Sequence, residues 1–214
     1  MKNFDLPSNT HMGGWFIPHN IVNQITDFWN NPENQKHKVD GKSYTQPVDG
    51  INTHEVIDVD VKESLELYVI PHSDVEPFKQ YEIYLQKCLN QYVKRYPSAS
   101  WTESYSLCHP YNVQWYPNGG GFKQPHIENG GSDVDGHRHL VFMTYLNDIV
   151  DGGTHFPNQN ITTPSIKGLT LIWPSYFTHP HKSQISKTNE KIIVTGWWSF
   201  NKQYDSYINN LEKK

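Results

Sequence analysis

The sequence has few of the features that mark secreted or membrane proteins. Its 214 residues include only two cysteines, Cys88 and Cys108, and no CxxC pair, so neither a disulfide scaffold nor a thiolate metal site is expected. No stretch approaches the roughly 18 consecutive apolar residues that a membrane-spanning helix needs. We therefore expect a soluble, cytoplasmic protein with packed or idle thiols and no membrane partner.

Charge is also sparse. Charged residues make up 19% of the chain, the formal net charge is -4, and no run of like charges occurs. Because nucleic-acid binding needs a positive patch or groove, a nucleic-acid partner is not expected. Abundant instead are twelve histidines, seven tryptophans and thirteen tyrosines, a composition that favours sheets and supplies many potential metal ligands.

Helical periodicity is confined to the N-terminal half. Apolar residues recur at helical spacing over 21–29 and 76–96, and each segment ends at a proline, which predicts two helices. The stretch VKESLELYVIP is ambiguous by period. Segment 34–50 is polar and contains glycine and proline, so it predicts an exposed loop or a weakly paired hairpin.

After Tyr105 the pattern becomes that of an all-β sandwich or barrel, with short apolar or alternating runs between turn residues. Strands are predicted at 111–116, 139–146, 168–173 and 191–200. Both faces of the second run are apolar and are expected to be buried. We predict one domain over 1–214, with a helical flank and the first strands in 1–105 and a β core in 106–201.

His126 and Glu128 form an HxE pair in a stretch bounded by glycines. Residues i and i+2 of a strand share a face, so the two side chains could meet one metal ion. Two histidines and one carboxylate, with open positions opposite, suit iron(II). Chance alone also produces HxE in a chain with twelve histidines and 22 acids, so a solvated loop remains an alternative.

A third ligand is offered by His179 and His181, which precede a strong strand. Lys191 opens that strand ten residues beyond His181. If it points inward, a buried lysine is costly unless an anion meets it; a strand-edge lysine that faces water is the alternative.

Other motifs do not indicate a different chemistry. His137 and His139 form an HxH pair, but no acid follows until Asp148, so they are interpreted as loop and strand-edge residues. The glycines of YPNGGGFKQPH are followed by neither GK[ST] nor a helical pattern, which excludes a phosphate loop there. GxSxG is absent, so no serine hydrolase is indicated. The tryptophans Trp173, Trp197 and Trp198 are assigned to packing.

Five blocks, in order, resemble a known family. They are VQWYPNGGGFKQPHIE, RHLVFMTYLND, DGGTHFP, KGLTLIWPS and HPHKSQISKTNEKIIVTGWW. Together they resemble the iron(II)- and 2-oxoglutarate-dependent oxygenases of the prolyl 4-hydroxylase-like branch, in the small form that carries HxE. The resemblance implies a mainly β (α+β) fold, with a double-stranded β-helix, or jelly-roll, core and flanking N-terminal helices.

The resemblance also implies roles for individual residues. His126, Glu128 and His181 would hold the iron, with Glu128 where most of the superfamily has aspartate. Lys191 would bind the far carboxylate of 2-oxoglutarate. Two hydroxyls would assist it, those of Tyr116 and Thr154. His179 would be an outer or substrate-facing residue, and Lys182-Ser183, which replaces the usual glycine, would be loop variation.

The implied activity is hydroxylation of an unactivated C–H bond in a small-molecule or peptide substrate, with a slight preference for peptidyl proline. The implied cofactors are iron(II), 2-oxoglutarate and dioxygen, with ascorbate as an optional reductant. Two alternatives remain open: a cupin-like jelly roll that binds a metal or ligand without oxygenating it, and a hydrolytic or isomerising metalloenzyme. Segments 34–50 and 129–136 are candidate lids because of their glycines and polarity.

Overall fold

The computed structural model describes residues 1–44 and 55–212. The two predicted helices are confirmed at His19–Asn30 and Phe78–Arg95, and a third, which was not predicted, lies at Asn201–Leu211. Shorter 3-10 helices lie at Ser8–Thr10, Pro32–His37 and Pro97–Ser100. None of the helices in the described ranges is long and apolar enough to cross a bilayer.

A large antiparallel sheet organises the molecule. The four predicted strands all belong to it and are confirmed to within a residue at each end. In spatial order its strands are Asn3–Phe4, Gly13–Phe16, Leu169–Pro174, Arg138–Tyr145, Lys191–Phe200, Tyr111–Tyr116, Leu65–Val69 and Val39–Asp40. Tyr105–Ser106 adds a short pairing at the end of Lys191–Phe200. The ambiguous stretch VKESLELYVIP therefore contributes a strand of this sheet.

A small sheet lies opposite, formed by Ile161–Ser165, Ile149–Phe156 and Lys182–Ser183. The sequence did not predict the first two strands, and the third was interpreted as loop variation. Gly153 allows the first two to approach, since a Cβ there would lie 1.9 Å from the carbonyl oxygen of Thr163. Two further ribbons pair Gly121–Phe122 with Lys62–Glu63, and Ser43–Tyr44 with Glu55–Val56.

The two sheets face each other as a jelly roll. The hydroxyl of Tyr145, on the large sheet, donates to Thr154 Oγ1 on the small sheet at 2.8 Å. Phe156 of the small sheet packs edge-on against Trp173 of the large sheet. The predicted jelly-roll core is confirmed.

The strand Arg138–Tyr145 buries both of its faces, as predicted. Val141, Met143 and Tyr145 point between the sheets, into one apolar cluster. Leu140 and Phe142 point the other way, into a second cluster that includes the apolar faces of helices His19–Asn30 and Phe78–Arg95. The helices therefore cover the outer face of the large sheet and leave its inner face for a site.

Segment 34–50 is only partly described. Its first residues lie in the 3-10 helix Pro32–His37, and two short strands follow at Val39–Asp40 and Ser43–Tyr44. Residues 45–50 lie outside the described ranges. The described part is thus more regular than the predicted loop, but its two strands pair with Leu65–Val69 and Glu55–Val56 and not with each other as a hairpin within the segment would.

Candidate active site

Backbone pairing brings the two histidines of the candidate metal site together. His126 N–H donates to the His181 carbonyl at 3.0 Å, and His181 N–H donates to the His126 carbonyl at 2.9 Å. This isolated antiparallel bridge joins the segment after Gly121–Phe122 to the segment before Lys182–Ser183. The ring centroids lie 4.3 Å apart. Two candidate ligands that are distant in sequence are therefore adjacent in the structure.

Glu128 completes a group of three converging donor atoms. Its Oε1 lies 3.4 Å from His126 Nε2 and 3.4 Å from His181 Nε2, and the three atoms lie within 4.8 Å of one another. The Nδ1 atoms lie 3.2 Å from the Gln124 carbonyl and 3.0 Å from the His179 carbonyl, respectively. Because a carbonyl only accepts, each neutral ring carries its hydrogen on Nδ1 and turns the Nε2 lone pair toward Glu128.

This donor set fits a divalent metal ion. Two nitrogen lone pairs and a carboxylate oxygen at such short range repel each other unless a cation or a proton lies between them. Two histidines and a carboxylate on one side, with open positions on the other, are the ligands that iron(II) uses in oxygenases. In the part of the chain that the structure describes, no other group of three such side chains comes together.

The protonation state of Glu128 suits this role. Burial alone would raise the pKa of Glu128, but His126 and His181, when protonated on Nε2, donate to the carboxylate and attract its charge, which holds the pKa well below its usual range. Arg138 Nη1 lies 3.3 Å from Glu128 Oε2, and Trp197 Nε1 donates to the same oxygen at 3.1 Å. Burial lowers the pKa of His126. At neutral pH the group therefore offers an ionised carboxylate to a metal.

Aromatic rings fix the histidines in place. Phe122 stacks on His126 with ring centroids 3.6 Å apart. Phe156 and Trp173 pack against His181 at 5.5 and 5.0 Å. These contacts limit rotation of the imidazoles and exclude water from one side of the site.

The site opens into a cavity of about 720 Å³. Its lining includes all three predicted cosubstrate-binding residues, Lys191, Tyr116 and Thr154, together with the three converging side chains. Lys191 is buried, and burial lowers its pKa to about 8. Among the described residues no carboxylate lies within ion-pair distance of its ammonium, and the ammonium nitrogen lies 5.1 Å from the centroid of the Tyr116 ring.

Comparison with known families agrees with this geometry. Residues 111–199, which include the three converging side chains and Lys191, match the model of the 2OG-Fe(II) oxygenase superfamily. Over these residues, which are fewer than half of the chain, the protein is similar to that superfamily. It is accordingly an oxidoreductase, here called the oxygenase, that uses iron(II), 2-oxoglutarate and dioxygen. No curated protein matches it significantly in sequence.

Solved structures share the fold of the oxygenase. A prolyl-4-hydroxylase from Pseudomonas putida is 16% identical, with a TM-score of 0.60 over 88% of this chain and 92% of that chain. A prolyl hydroxylase from Trichoplax adhaerens, solved with a peptide fragment of hypoxia inducible factor, is 16% identical, with a TM-score of 0.65 over 92% and 87%. At this identity the likeness is one of fold.

The hydroxyls of Tyr116 and Thr154 already have partners in the oxygenase. Tyr116 O–H donates to Gln114 Oε1 at 2.5 Å. Thr154 Oγ1 accepts from Tyr145 and faces Met143 Sδ at 3.9 Å. A ligand carboxylate could therefore bind these hydroxyls only after their hydrogens turn away from present partners, whereas the Lys191 ammonium has no such competition.

The remaining candidate histidines lie away from the three converging side chains. His179 Nε2 lies 2.8 Å from the Thr10 carbonyl and Nδ1 lies 2.9 Å from Thr178 Oγ1, so both ring nitrogens are engaged. It acts on the site through its carbonyl, which holds His181. His139 packs against Phe200, and His137 stacks on His109, both outside the group.

Arg138 and Trp197 are site residues that the sequence reasoning missed. The guanidinium lies 3.7 Å from the Trp197 ring centroid, and both side chains hold Glu128. A signal existed for Trp197: it follows Lys191 by six residues in one strand, and even spacing places both on one face. Arg138 opens a predicted strand but carries no such marker.

Both candidate lid segments border the cavity. Lys42 and Ser43 come from the first segment, and Gly130, Ser132 and Asp135 come from the second. Movement of either segment stays a prediction.

Proposed function

We propose that the oxygenase hydroxylates an unactivated C–H bond of a peptide or amino-acid substrate, with iron held by His126, Glu128 and His181. The reaction is R–H + 2-oxoglutarate + O₂ → R–OH + succinate + CO₂. Iron(II) bound at these side chains would supply the activation of dioxygen that no amino-acid side chain provides. The observation that supports this best is the convergent triad beside an uncompensated Lys191 in the same cavity.

Each residue then has a task in that reaction. Glu128 supplies the negative ligand, and Arg138 and Trp197 hold its second oxygen so that Oε1 faces the histidines. Lys191 pairs with the far carboxylate of 2-oxoglutarate, which removes the cost of its burial. The aromatic rings that pack against His126 and His181, those of Phe122, Phe156 and Trp173, keep water out of the site.

The peptide preference is supported by shape. Relatives in fold include the prolyl hydroxylase that was solved with a peptide fragment, and the cavity is large and open enough for more than the cosubstrate. Peptidyl proline and other peptidyl residues are both within this proposal.

The test is anaerobic addition of iron(II) and 2-oxoglutarate, with the visible metal-to-ligand charge-transfer band as readout, followed by succinate formation in air. Wild type should give both signals, and His181→Ala should give neither. His179→Ala is the matched control, since its ring bonds to Thr10 and Thr178 instead; it should keep the band. A band in His181→Ala that is absent from His179→Ala would reverse the ligand assignment, and no band in wild type would refute the function.

A further inference from the structure

A second polar cluster lines the same cavity, on strands that carry none of the proposed iron ligands. We call it the Glu66 network, and its members are Lys62, Ser64, Glu66, Asn112 and Gln114. Glu66 is only 2% exposed. Its Oε1 forms an ion pair with Lys62 and accepts from Ser64 Oγ at 3.2 Å and Gln114 Nε2 at 3.1 Å. Its Oε2 accepts from Asn112 Nδ2 at 3.2 Å.

Within this network Asn112 keeps an unused acceptor. A carboxylate cannot donate, so the contact with Glu66 fixes Nδ2 toward Glu66 and turns Oδ1 away from it. Asn112 is 5% exposed and lines the cavity. Its Oδ1 is buried without a hydrogen-bond partner among the described residues. Buried acceptors are nearly always satisfied, so an orphan in a cavity wall indicates that a ligand supplies the donor.

Asn112 lies near the proposed iron site, at the end of the cavity away from Lys191. Its Cα partner on the next strand is Thr195, two residues before Trp197 on the same face, and Trp197 bonds to Glu128. Lys191 pairs with Tyr116, four residues along from Asn112, which corresponds to about 13 Å along a strand. A cosubstrate anchored on Lys191 therefore leaves the Asn112 end of the cavity free for the substrate.

The charge of the network favours a neutral donor. Lys62 and Glu66 neutralise each other, and Gln114 is engaged at both ends, by Glu66 and by Tyr116. No net charge is left at Asn112 to attract an ammonium or a carboxylate. An amide N–H satisfies a lone carbonyl acceptor without adding charge, whereas a hydrocarbon chain would leave the acceptor unsatisfied.

We propose that Asn112 Oδ1 accepts a hydrogen bond from a backbone amide N–H of a peptide substrate and so contributes to substrate selection. Glu66 is a positioning residue that fixes the Asn112 side chain in the accepting orientation. This inference rests on the proposed function and deepens it, because it specifies a neutral peptide rather than a lipid or a free charged amino acid.

The test uses the iron-loaded protein and a blocked tripeptide, N-acetyl-Gly-Pro-Gly-amide, with stimulation of succinate formation as readout. Succinate formed without peptide is the baseline. Asn112→Leu keeps the shape and removes the acceptor, so the KM for the peptide, measured above the variant's own baseline, should rise about tenfold. Asn90→Leu is the matched control, because it is the same substitution at an exposed position of helix Phe78–Arg95, where the Asn90 side chain bonds to Gln86; its KM should stay within about twofold of wild type.

A second measurement needs no variant. The same peptide with its amide nitrogens methylated has no N–H to donate, so it should stimulate wild type at least about tenfold less. Equal stimulation by both peptides, an unchanged KM in Asn112→Leu, or stimulation by neutral sugars instead of peptides would overturn the inference. If wild type formed no succinate with or without peptide, that result would instead refute the proposed function. The two failures are therefore distinguishable.

Discussion

The two faces of the large sheet are built from the same strands but differ in what they leave unsatisfied. On the outer face, Phe142 and Val194 pack against the helices, and the cluster they join is apolar. On the inner face, alternate residues of the same strands include Lys191, Thr195 and Asn112. Successive residues of a strand point to opposite faces. The same strands therefore supply apolar residues to the core on the outer face and polar residues to the cavity on the inner face.

The cavity beside the inner face is lined by two buried lysines with opposite circumstances. Lys62 pairs with Glu66 inside the protein. Lys191 has no carboxylate partner among the described residues, and burial lowers its pKa to about 8. A buried charge that the chain neutralises contributes to the architecture, whereas one that the chain leaves alone is a candidate for ligand binding.

The outer face should show the largest effect on stability. Phe142 is fully buried, with Trp198 at 5.1 Å and Tyr111 at 5.8 Å between ring centroids. Phe142→Ala should lower the free energy of unfolding by about 3–5 kcal/mol, measured by urea denaturation. Val150→Ala, at a fully exposed position, should change it by less than about 0.5 kcal/mol. Equal effects of the two substitutions would contradict the assignment of the outer face to the core.

The cavity that the inner face borders should show the largest effect on activity. Glu128→Gln keeps the shape of the side chain but removes the negative ligand, so iron(II) affinity and succinate formation should both fall by more than about 100-fold. Iron affinity is measured by equilibrium dialysis. The unfolding midpoint should move little, in contrast to Phe142→Ala. Iron binding that survives in Glu128→Gln would exclude Glu128 as a ligand.

Lys191→Met should change stability and 2-oxoglutarate binding in opposite directions. Removing an uncompensated buried cation should raise the free energy of unfolding by about 1–3 kcal/mol, while 2-oxoglutarate no longer gives the charge-transfer band. Lys36→Met, at an exposed position, should leave both quantities unchanged. A less stable Lys191→Met protein would mean that the fold itself uses the ammonium.

The pH dependence should be the smallest effect. The pKa of Lys191 is about 8 in the folded protein, below its unfolded value, and only the protonated form pairs with a carboxylate. The Kd for 2-oxoglutarate should therefore stay level below pH 8 and rise up to about tenfold per pH unit above it. Lys191→Arg keeps its charge and should give a flatter profile. By the same linkage, the unfolded chain binds more protons between pH 8 and about 10.5, so this group's contribution to stability increases with pH there.

Sequence reasoning identified the helices and the four long strands because their periods are regular and their ends carry proline or glycine. It missed the small sheet, because Asp151, Gly152 and Gly153 interrupt Ile149–Phe156 and because Ile161–Ser165 is mostly polar, so neither strand contains an apolar run. The geometry that brings His126, Glu128 and His181 together was expected from the family resemblance, since spacing alone could not distinguish His179 from His181.

The Glu66 network was beyond sequence reasoning for a physical reason. VKESLELYVIP fits both a helix and a strand, and only pairing with Tyr111–Tyr116 decides which face Glu66 occupies. Two of the partners of Glu66, Asn112 and Gln114, come from that neighbouring strand, so no local pattern contains the whole network. The roles of Arg138 and Trp197 similarly depend on where the Glu128 carboxylate points.

The backbone bridge between His126 and His181 has a consequence for metal loading. Because two peptide hydrogen bonds hold the histidines, their alignment is established when the chain folds and does not wait for an ion to gather them. Capture of iron would then require little rearrangement, so removal of iron by a chelator should leave the surrounding strands in register and be reversed by simple re-addition. The fold itself, and not the ion, would set the geometry of the site.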